Sequence, residues 1–419
     1  MKSIKITLAI AGILANIGCS NAQDNNSAAN AGLKLPKGFE ATIVADNLGR
    51  TRHLAVTAEG NIYAKLNRLK DGKGAVYLED TNKDGLMDKQ SYFTNYNGTG
   101  MFIKDNYLYD SSNEDVFRYK LNDKHEIINP LAPEKIVFGL INRRQHESKS
   151  VVLDNDGNIY VNIGGYANSC QEKDRQNGSK GVPGCPLLDS AGGIWQFKAN
   201  KMNQTYKDGI RYATGFRNVV GLDWNSKDNS LYVMQHGRDQ LTMFPDLYDA
   251  QKSANLPAET FYKVPKGGNG GWPYSYYDQN VKKKILSPEY GGDGIKEYTG
   301  TALDPIVAFP AHMAPNGLLF YTGTQFPDQY KNGAFIAFHG SWNRSPELQE
   351  GYYVVFVPFK DGKPSGDWEV FANGFAGVEE IKTPGMAKHR PCGLAQGPDG
   401  SLYVSDDVKG TIYKISYQK

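Results

Sequence analysis

Short apolar runs alternate with polar turns along most of the chain, and the clearest instance covers residues 150–163. There Ser150–Leu153 is followed by the polar stretch Asp154–Gly157 and then by Asn158–Ile163, a second apolar run. An Asp/Asn/Gly cluster between two such runs predicts a β-hairpin, because these residue types adopt the tight-turn conformations that join antiparallel strands.

Five further stretches repeat this hairpin pattern at irregular spacing. The six second strands centre on Ile62, Leu108, Ile159, Leu231, Phe335 and Leu402. One hairpin cannot bury both of its faces, so a series of them predicts blades that stack around a centre. We therefore predict an all-β fold, a six-bladed β-propeller over residues 34–419, with a β-sandwich as the alternative.

The two ends of the repeat region carry strand patterns that suit each other. Residues 38–45 and residues 411–415 both read as β-strands. We predict that they pair in the last blade, because this closes the ring and leaves neither strand as an exposed edge.

The first 22 residues have the parts of an export signal. Two lysines among the first five residues precede the apolar segment Ile6–Ile17, which is too short for a stable membrane span. Two processing sites fit the sequence: acylation at Cys19, which would attach the protein to a membrane, and cleavage before Gln23. Either one predicts a mature protein in the periplasm or elsewhere outside the cytoplasm, with residues 23–33 as a flexible tether.

Charge and cysteine content narrow the function classes. With 47 Lys and Arg against 45 Asp and Glu, the chain gives no argument for nucleic acid or an anionic membrane as a partner. Export permits disulfides. Cys170 and Cys185 share one Gly/Asn/Pro-rich loop and are the predicted pair, whereas Cys392 is predicted to be a buried thiol. The sequence contains no Cys-x-x-Cys-His motif for covalent haem attachment.

The stretch Asp80–Asp88 alternates oxygen-bearing side chains as calcium loops do. The candidate ligands are Asp80, Asn82, Asp84 and Asp88. Position twelve of an EF-hand loop would be Ser91 rather than Glu, and no helical pattern flanks the stretch. A structural calcium site and a plain Asp/Asn turn both fit this pattern.

Polar residues stand directly before the first strand of five hairpins. They are Arg52, His53, His146, Glu147, Arg217, Asn218, His312, Asn316, His389 and Arg390. In a propeller the first strands line the central channel, so residues at equivalent ends converge. The set predicts a cationic, hydrogen-bonding mouth that suits a compact polyanion, since guanidinium groups bind carboxylates in a bidentate manner.

Two second strands are followed by His-Gly, in the segments His236–Asp239 and His339–Arg344. Gly at such a position allows the backbone to approach a ligand closely. Trp342 lies in the second segment, and its flat ring suits a sugar or a planar cofactor; plugging the end of the propeller is the alternative.

Taken together, these motifs resemble the pyrroloquinoline-quinone-dependent glucose/sorbosone dehydrogenases, and the His-Gly-Ser-Trp-Asn-Arg string resembles the sorbosone dehydrogenase branch most. The resemblance covers most of residues 34–419, and Gly215–Leu222, Gly270–Pro273 and Arg390-Pro391 also carry it. It implies an exported propeller that oxidises a sugar or a sugar-derived aldehyde or alcohol. Hydride would pass to pyrroloquinoline quinone beside Ca²⁺, and electrons would then pass to an external acceptor, a quinone or a cytochrome.

The resemblance also implies roles for individual residues. His146 matches the general base, and Arg217 and Asn218 match residues at the quinone oxygens, where the Arg217 charge would stabilise the reduced cofactor. Gly237 and Arg238 match positions whose backbone carbonyls hold Ca²⁺. The other residues implied to contact cofactor or substrate are Arg52, His53, His339, Trp342, Asn343, Arg344, Lys388 and Arg390.

Two other functions remain open at the level of sequence. One is a calcium-dependent lactonase, which would need clustered acidic side chains around the ion. The other is a propeller that binds carbohydrate without catalysis. The loop 168–193 and the insertion 246–300 depart from the family pattern, so the resemblance does not fix the substrate.

Overall fold

The hairpin repeats form a ring of six blades in the computed structural model, which describes residues 30–418. The prediction of a six-bladed β-propeller is confirmed. The first strand of each blade contacts the first strands of its neighbours around the central channel, and the later strands follow outward. The segment 1–29, with the predicted export signal and Cys19, lies outside the described residues.

The chain enters the fold through strand β1 (Phe39–Ala45). Blade 1 contains β2 (Thr51–Val56), β3 (Ile62–Lys70), β4 (Lys73–Glu79) and β5 (Lys89–Phe93). Blade 2 contains β6 (Met101–Lys104), β7 (Tyr107–Ser111), β8 (Val116–Lys120) and β9 (Glu134–Val137). Blade 3 contains β10 (Val151–Leu153), β11 (Asn158–Ile163), β12 (Gly193–Lys198) and β13 (Ile210–Thr214).

Blade 4 begins with β14 (Val219–Asn225) and β15 (Ser230–Gln235), which are followed by the short helix α1 (Ala250–Asn255) and by β16 (Ala258–Val264). An insertion then holds β17 (Gly268–Asn269), β18 (Ser275–Asp278) and β19 (Lys283–Leu286), before β20 (Val307–Ala311) completes the blade. Blade 5 contains β21 (Pro315–Phe320), β22 (Gly333–Phe338), β23 (Tyr353–Lys360), β24 (Lys363–Pro364) and β25 (Glu369–Ala372). Blade 6 contains β26 (Pro391–Gln396), β27 (Leu402–Asp406), β28 (Ile412–Tyr417) and β1. Short 3-10 turns span Pro186–Asp189, Leu241–Met243, Pro288–Tyr290, Asp328–Tyr330 and Pro384–Met386.

Strand β1 closes the ring by pairing antiparallel with β28. The register places Phe39 opposite Tyr417 and Ile43 opposite Tyr413. The predicted closure is therefore confirmed: β28 is paired on both sides, while β1 is the outer edge strand of blade 6.

Aromatic side chains fill the space between blades 5 and 6. The Phe39 ring meets the rings of Phe326 and Phe371 edge to face, with centroids 4.8 and 4.9 Å apart. Burial of each large apolar side chain contributes about 1.5–3 kcal/mol, so this contact between the first strand and blade 5 stabilises the closed ring.

Two predicted boundaries need correction. The sequence predicts that Leu33 ends the tether, but Leu33 is 4% exposed and belongs to the buried cluster of Phe39 and Phe371. The folded part therefore begins before residue 34. The segment 246–300 is not one insertion, because its apolar run β16 supplies the third strand of blade 4.

The cysteine predictions are confirmed. Cys170 and Cys185 form a disulfide, and Cys392 is a buried free thiol. Among residues 30–418 there is no helix of the length and apolar character needed to cross a bilayer.

Candidate active site

Polar residues that precede three first strands meet at one end of the channel. His146 lies before β10, Arg217 and Asn218 lie before β14, and His312 lies before β21. They line one cavity together with His236, Gly237, Asp239, Glu259, Ala314, Trp342 and Asn343. Trp342 is 53% exposed, so the cavity meets solvent beside its indole.

His146 is held in one orientation by its own backbone and by a facing carbonyl. Its φ of 49° is left-handed, and its Nδ1 lies 2.5 Å from the carbonyl oxygen of Gly165. A Cβ at Gly164 would lie 2.5 Å from the His146 carbonyl oxygen, so glycine is required at this approach. Burial, together with the nearby charge of Arg217, lowers the pKa of His146 to about 3. The imidazole is therefore neutral, and because Nδ1 donates to Gly165, Nε2 keeps a lone pair that can accept a proton.

Arg217 is buried, and protein oxygens bind most of its guanidinium. Nε donates to the Asn168 carbonyl at 3.1 Å, and Nη1 donates to the Gly237 carbonyl at 2.9 Å. Nη2 donates to Asn168 Oδ1 at 3.0 Å and to Asp239 Oδ2 at 2.7 Å. An arginine has five N–H groups. These bonds use four of them and leave one N–H on Nη1 for a ligand.

Asp239 joins two arginines and one amide across the cavity wall. Besides Arg217, its Oδ2 accepts a bond from Arg175 Nη2 at 3.0 Å, and its Oδ1 accepts one from Asn343 Nδ2 at 3.0 Å. Burial alone would raise the pKa of Asp239, but Arg217 and Arg175 outweigh burial and hold this pKa below its usual range. Two guanidinium groups thus contact the Asp239 carboxylate, and Asp174 lies 4.0 Å from Arg175, so the charges of these four side chains balance.

The remaining titratable groups of the cavity are neutral near pH 7. Burial raises the pKa of Glu259 to about 8, although its carboxyl oxygens accept bonds from the backbone N–H groups of Gly237 and Ala314 at 2.9 and 3.2 Å. Burial and the charge of Arg217 lower the pKa of His236 to about 3. Both shifts favour the neutral form of these two groups.

A second polar cluster, which we call the Asp407 cluster, consists of Arg52, His339, Arg390 and Asp407 at the same end of the channel. Asp407 accepts a bond from His339 Nε2 at 2.6 Å, and its Oδ2 lies 3.3 Å from Arg52 Nε. Burial would raise the pKa of Asp407, but His339 and Arg52 outweigh it and hold the pKa below its usual range. Arg390 donates to the carbonyls of His339 and Gly340 at 3.0 and 2.5 Å. Arg52 thus pairs with the Asp407 carboxylate, and Arg390 is held by backbone carbonyls beside it.

The Arg344 guanidinium binds backbone carbonyls around it, and its expected contact with cofactor or substrate stays a prediction. Its Nη1 donates to the carbonyls of Ala254 and Ala311 at 3.2 and 3.0 Å, and its Nε donates to the Leu348 carbonyl at 3.1 Å. These hydrogen bonds join the Arg344 loop to α1 and β20 and so support the fold.

Three further predicted residues lie apart from the cavity lining. Lys388 is exposed, and its methylenes lie against Gly377. His53 Nε2 faces the Asn316 carbonyl at 2.9 Å, beside the apolar part of the channel. The Arg238 side chain forms a buried ion pair with Glu289 at 2.5 Å, which leaves its backbone carbonyl for the metal role expected from the resemblance.

The Asp80–Asp88 loop has its carboxylates bonded to its own backbone. Asp80 accepts bonds from the N–H groups of Asp84 and Gly85 at 3.2 and 2.8 Å, and Asp88 accepts one from Thr81 at 2.9 Å. This geometry favours the Asp/Asn turn. Over residues 30–418, no three His, Cys, Asp or Glu side chains are grouped as metal ligands. Calcium binding at Asp80, Asn82, Asp84 and Asp88 stays a prediction.

The sequence-based selection of site residues missed Asp239, Glu259, Asp407, Asn168 and Arg175. Asp407 had a usable signal: it follows second strand β27, as His236 follows β15 and His339 follows β22. Asp239 belongs to a motif already singled out for its neighbours. Glu259 lies on a third strand, where no repeat position marks it.

Two buried amide oxygens of the cavity have no hydrogen-bond donor. They are Asn218 Oδ1 and Asn343 Oδ1. Unpaired buried acceptors are costly, and oxygen atoms are the ligands that hard cations prefer. The resemblance implies the Gly237 and Arg238 carbonyls as further ligands, and a cation at Gly237 would share that oxygen with Arg217 Nη1, which donates to it at 2.9 Å.

Comparison with known proteins identifies the family. A family model described as TrAA12-like matches residues 33–276 and 296–418. A pyrroloquinoline quinone-dependent pyranose dehydrogenase of Coprinopsis cinerea is 26% identical over 275 residues, which is 57% of this chain and 36% of that protein. A pyrroloquinoline quinone-dependent sugar dehydrogenase of Hypocrea jecorina is 23% identical, with 74% and 71% of the two chains covered.

A solved structure supports the same fold. The calcium structure of the Trichoderma reesei Carbohydrate-Active Enzymes Family AA12 protein superposes with a TM-score of 0.74 at 19% identity, covering 92% of this chain and 97% of that chain. The chain spans only 36% of the length of the Coprinopsis relative. The family-level prediction is confirmed, while the sorbosone branch stays a prediction. Because the family model matches nearly the whole described fold, the chain belongs to the TrAA12-like family.

Proposed function

We propose that this protein is a quinoprotein oxidoreductase that oxidises a sugar, or a sugar-derived aldehyde or alcohol, with pyrroloquinoline quinone and Ca²⁺. The observation that carries the proposal is the neutral His146, with Nε2 unpaired, in a cavity that the Arg217 guanidinium also lines. The names of the Coprinopsis and Hypocrea relatives, both quinone-dependent sugar dehydrogenases, support it.

The residues present fit this cofactor. Pyrroloquinoline quinone is planar and carries three carboxylates, so it needs several cations and hydrogen-bond donors. The cavity wall and the Asp407 cluster offer four guanidinium groups against the three carboxylates of Asp174, Asp239 and Asp407. The unpaired oxygens of Asn218 and Asn343 match the needs of a hard cation beside it. Arg217 and Asn218 would hold the quinone, and the carbonyls of Gly237 and Arg238 would hold Ca²⁺.

The chain's own residues supply binding, orientation and proton transfer. When bound, pyrroloquinoline quinone with Ca²⁺ would supply a hydride acceptor activated by a Lewis acid. His146 takes the hydroxyl proton of the substrate on Nε2, because Gly165 fixes Nδ1 as the donor. Arg217, clamped by Asn168 and Asp239, presents fixed positive charge that favours the more anionic reduced state. General-base removal of this kind typically contributes about 10²–10⁴-fold to the rate.

The substrate class and setting are also proposed. Trp342, exposed at the mouth, suits stacking against a sugar ring. Glucose- or sorbosone-type substrates, an external quinone or cytochrome as electron acceptor, and export with lipidation at Cys19 are the finer proposals. The lactonase alternative needs several acidic side chains around its ion. No such group is present in the part of the chain that the structure describes.

The test is an equilibrium titration of pyrroloquinoline quinone into the purified protein, followed by quenching of tryptophan fluorescence. We expect micromolar or tighter binding with Ca²⁺ present and at least ten-fold weaker binding after chelation, with Mg²⁺ as the matched cation. A dye-reduction screen over aldoses, ketoses and sorbosone then identifies the substrate. No binding at micromolar quinone with Ca²⁺ present would contradict the proposal.

A further inference from the structure

Asn168 lies two residues before the loop closed by the Cys170–Cys185 disulfide, and it contacts Arg217 and Asp239 in the cavity wall. The Asn168 side chain is fully buried. Its Oδ1 accepts bonds from Arg217 Nη2 at 3.0 Å and from the Asp239 N–H at 2.9 Å, and its Nδ2 donates to the Asp239 carbonyl at 2.9 Å. One amide therefore bonds to both members of the Arg217–Asp239 ion pair.

The Asn168 backbone adds to this contact. Its carbonyl accepts bonds from Arg217 Nε at 3.1 Å and from Trp272 Nε1 at 3.0 Å. Asn168 thus receives two of the four hydrogen bonds that the Arg217 guanidinium makes to protein, and it also fixes Asp239, which receives a third. The orientation of the Arg217 guanidinium depends on this one residue more than on any other partner it bonds.

The disulfide loop is itself anchored to the rest of the fold. The Val182 N–H donates to the Cys170 carbonyl at 2.8 Å, and Tyr290 Oη donates to the same carbonyl at 3.2 Å. The Gly181 N–H donates to the Glu289 carbonyl at 2.9 Å, and Glu289 pairs with Arg238. Asn168 stands two residues from Cys170, so the crosslink and these bonds limit its movement.

We propose that Asn168 is a positioning residue: it aims the one unused N–H of Arg217 into the cavity, and the Cys170–Cys185 loop holds Asn168 in place. As it concerns quinone binding, this inference rests on the proposed function. An amide suits the position because it accepts from Arg217 and donates to the Asp239 carbonyl at once. Aspartate would place a second acceptor against that carbonyl, and an apolar residue would supply neither bond.

The test compares Asn168→Ala with Asn158→Ala, a matched loss of a buried amide in the same blade. Asn158 Nδ2 donates to Asp154 Oδ2 at 2.7 Å, in the hairpin at the other end of the first two strands. Two quantities are measured for each protein. One is the solvent exchange of the Arg217 Nη–H groups by nitrogen-detected NMR, assigned by their loss in Arg217→Lys, because Asn168→Ala removes the Nη2 bond to Asn168 Oδ1. The other is the dissociation constant for pyrroloquinoline quinone with Ca²⁺.

We expect Asn168→Ala to speed Arg217 Nη–H exchange at least ten-fold and to weaken quinone binding at least ten-fold. Asn158→Ala should change the melting temperature alone, and Cys170→Ser/Cys185→Ser should speed the same exchange. Unchanged exchange and affinity in Asn168→Ala, with only a lower melting temperature, would overturn the inference. Faster exchange in a protein whose wild type binds no quinone would support the positioning of Arg217 while contradicting the proposed function.

Discussion

Lys65 and Asp110 form a buried ion pair between blades 1 and 2, and we expect Lys65→Met to destabilise the fold strongly. Nζ lies 2.8 Å from Oδ1, and both side chains are 0% exposed. Nζ also donates to the Tyr96 carbonyl at 3.2 Å. Burial lowers the pKa of Lys65 and raises that of Asp110, while the ion pair opposes both shifts. Methionine fills the volume but leaves the Asp110 carboxylate without its counter-ion.

Removal of one partner from a buried pair typically costs about 3–5 kcal/mol. Unfolding entropy is about 2.1 cal/mol/K per residue, so a propeller spanning residues 30–418 has about 0.8 kcal/mol/K. The expected fall in melting temperature is therefore about 4–6 °C, measured by scanning calorimetry.

The loss of stability in Lys65→Met should depend on pH. In Lys65→Met the folded-state pKa of Asp110 lies above its unfolded value, so the cost appears as pH rises above that unfolded value and grows until the folded pKa is reached. The deficit should be smaller at pH 5 than at pH 8. Lys65→Met/Asp110→Leu should recover most of the loss, because no unpaired charge remains. A loss under about 1 kcal/mol in Lys65→Met with the wild-type pH profile would refute the reasoning.

Three further predictions concern the loop and the cavity. Cys170→Ser/Cys185→Ser should lose about 3 kcal/mol, and so about 4 °C in melting temperature, because the bond closes a loop of 15 residues; an unchanged midpoint would contradict this. Trp342→Ala should raise KM for the sugar about 2- to 12-fold and change kcat little, since ring stacking contributes about 0.5–1.5 kcal/mol. Trp342→Phe should retain affinity. A fall in kcat alone would contradict stacking of the sugar ring on Trp342. The pKa of His146, lowered to about 3, predicts a neutral imidazole at pH 5 in the cofactor-free protein, which a proton NMR titration measures. Binding of the anionic quinone should raise that pKa. An imidazole protonated at pH 6 without quinone would contradict the buried geometry.

The fold was predictable because its determinants are local. Each hairpin carries its own apolar strands and polar turn, so six of them specify the ring without knowledge of long-range contacts. The convergence of His146, Arg217 and Asn218 followed from the same repeat, because equivalent ends of first strands meet at the channel. The disulfide followed from two cysteines in one loop.

What the sequence could not supply was the direction of individual side chains. Arg344 belongs to a motif beside the cavity, yet its guanidinium faces the carbonyls of α1 and β20, a contact that depends on how the helix packs. Glu259 is polar at an interior strand position, and its place under the Gly237 N–H became visible only with β16 placed in blade 4. Asn168 could not be distinguished from the other polar residues of its loop, because its hydrogen-bond partners Arg217 and Asp239 lie 49 and 71 residues away in the sequence.

The most direct test of the account is anaerobic mixing of the quinone- and Ca²⁺-loaded protein with the sugar found by the screen, followed by the optical spectrum of the bound quinone. The account predicts rapid reduction in the wild type and in His125→Ala, whose imidazole pairs with Glu59 outside the cavity. His146→Ala should bind quinone with unchanged affinity but reduce it about 10²–10⁴-fold more slowly. Equal reduction rates in wild type and His146→Ala would contradict the assignment of His146 as the base, and no reduction by any sugar in the wild type would contradict the proposed oxidoreductase.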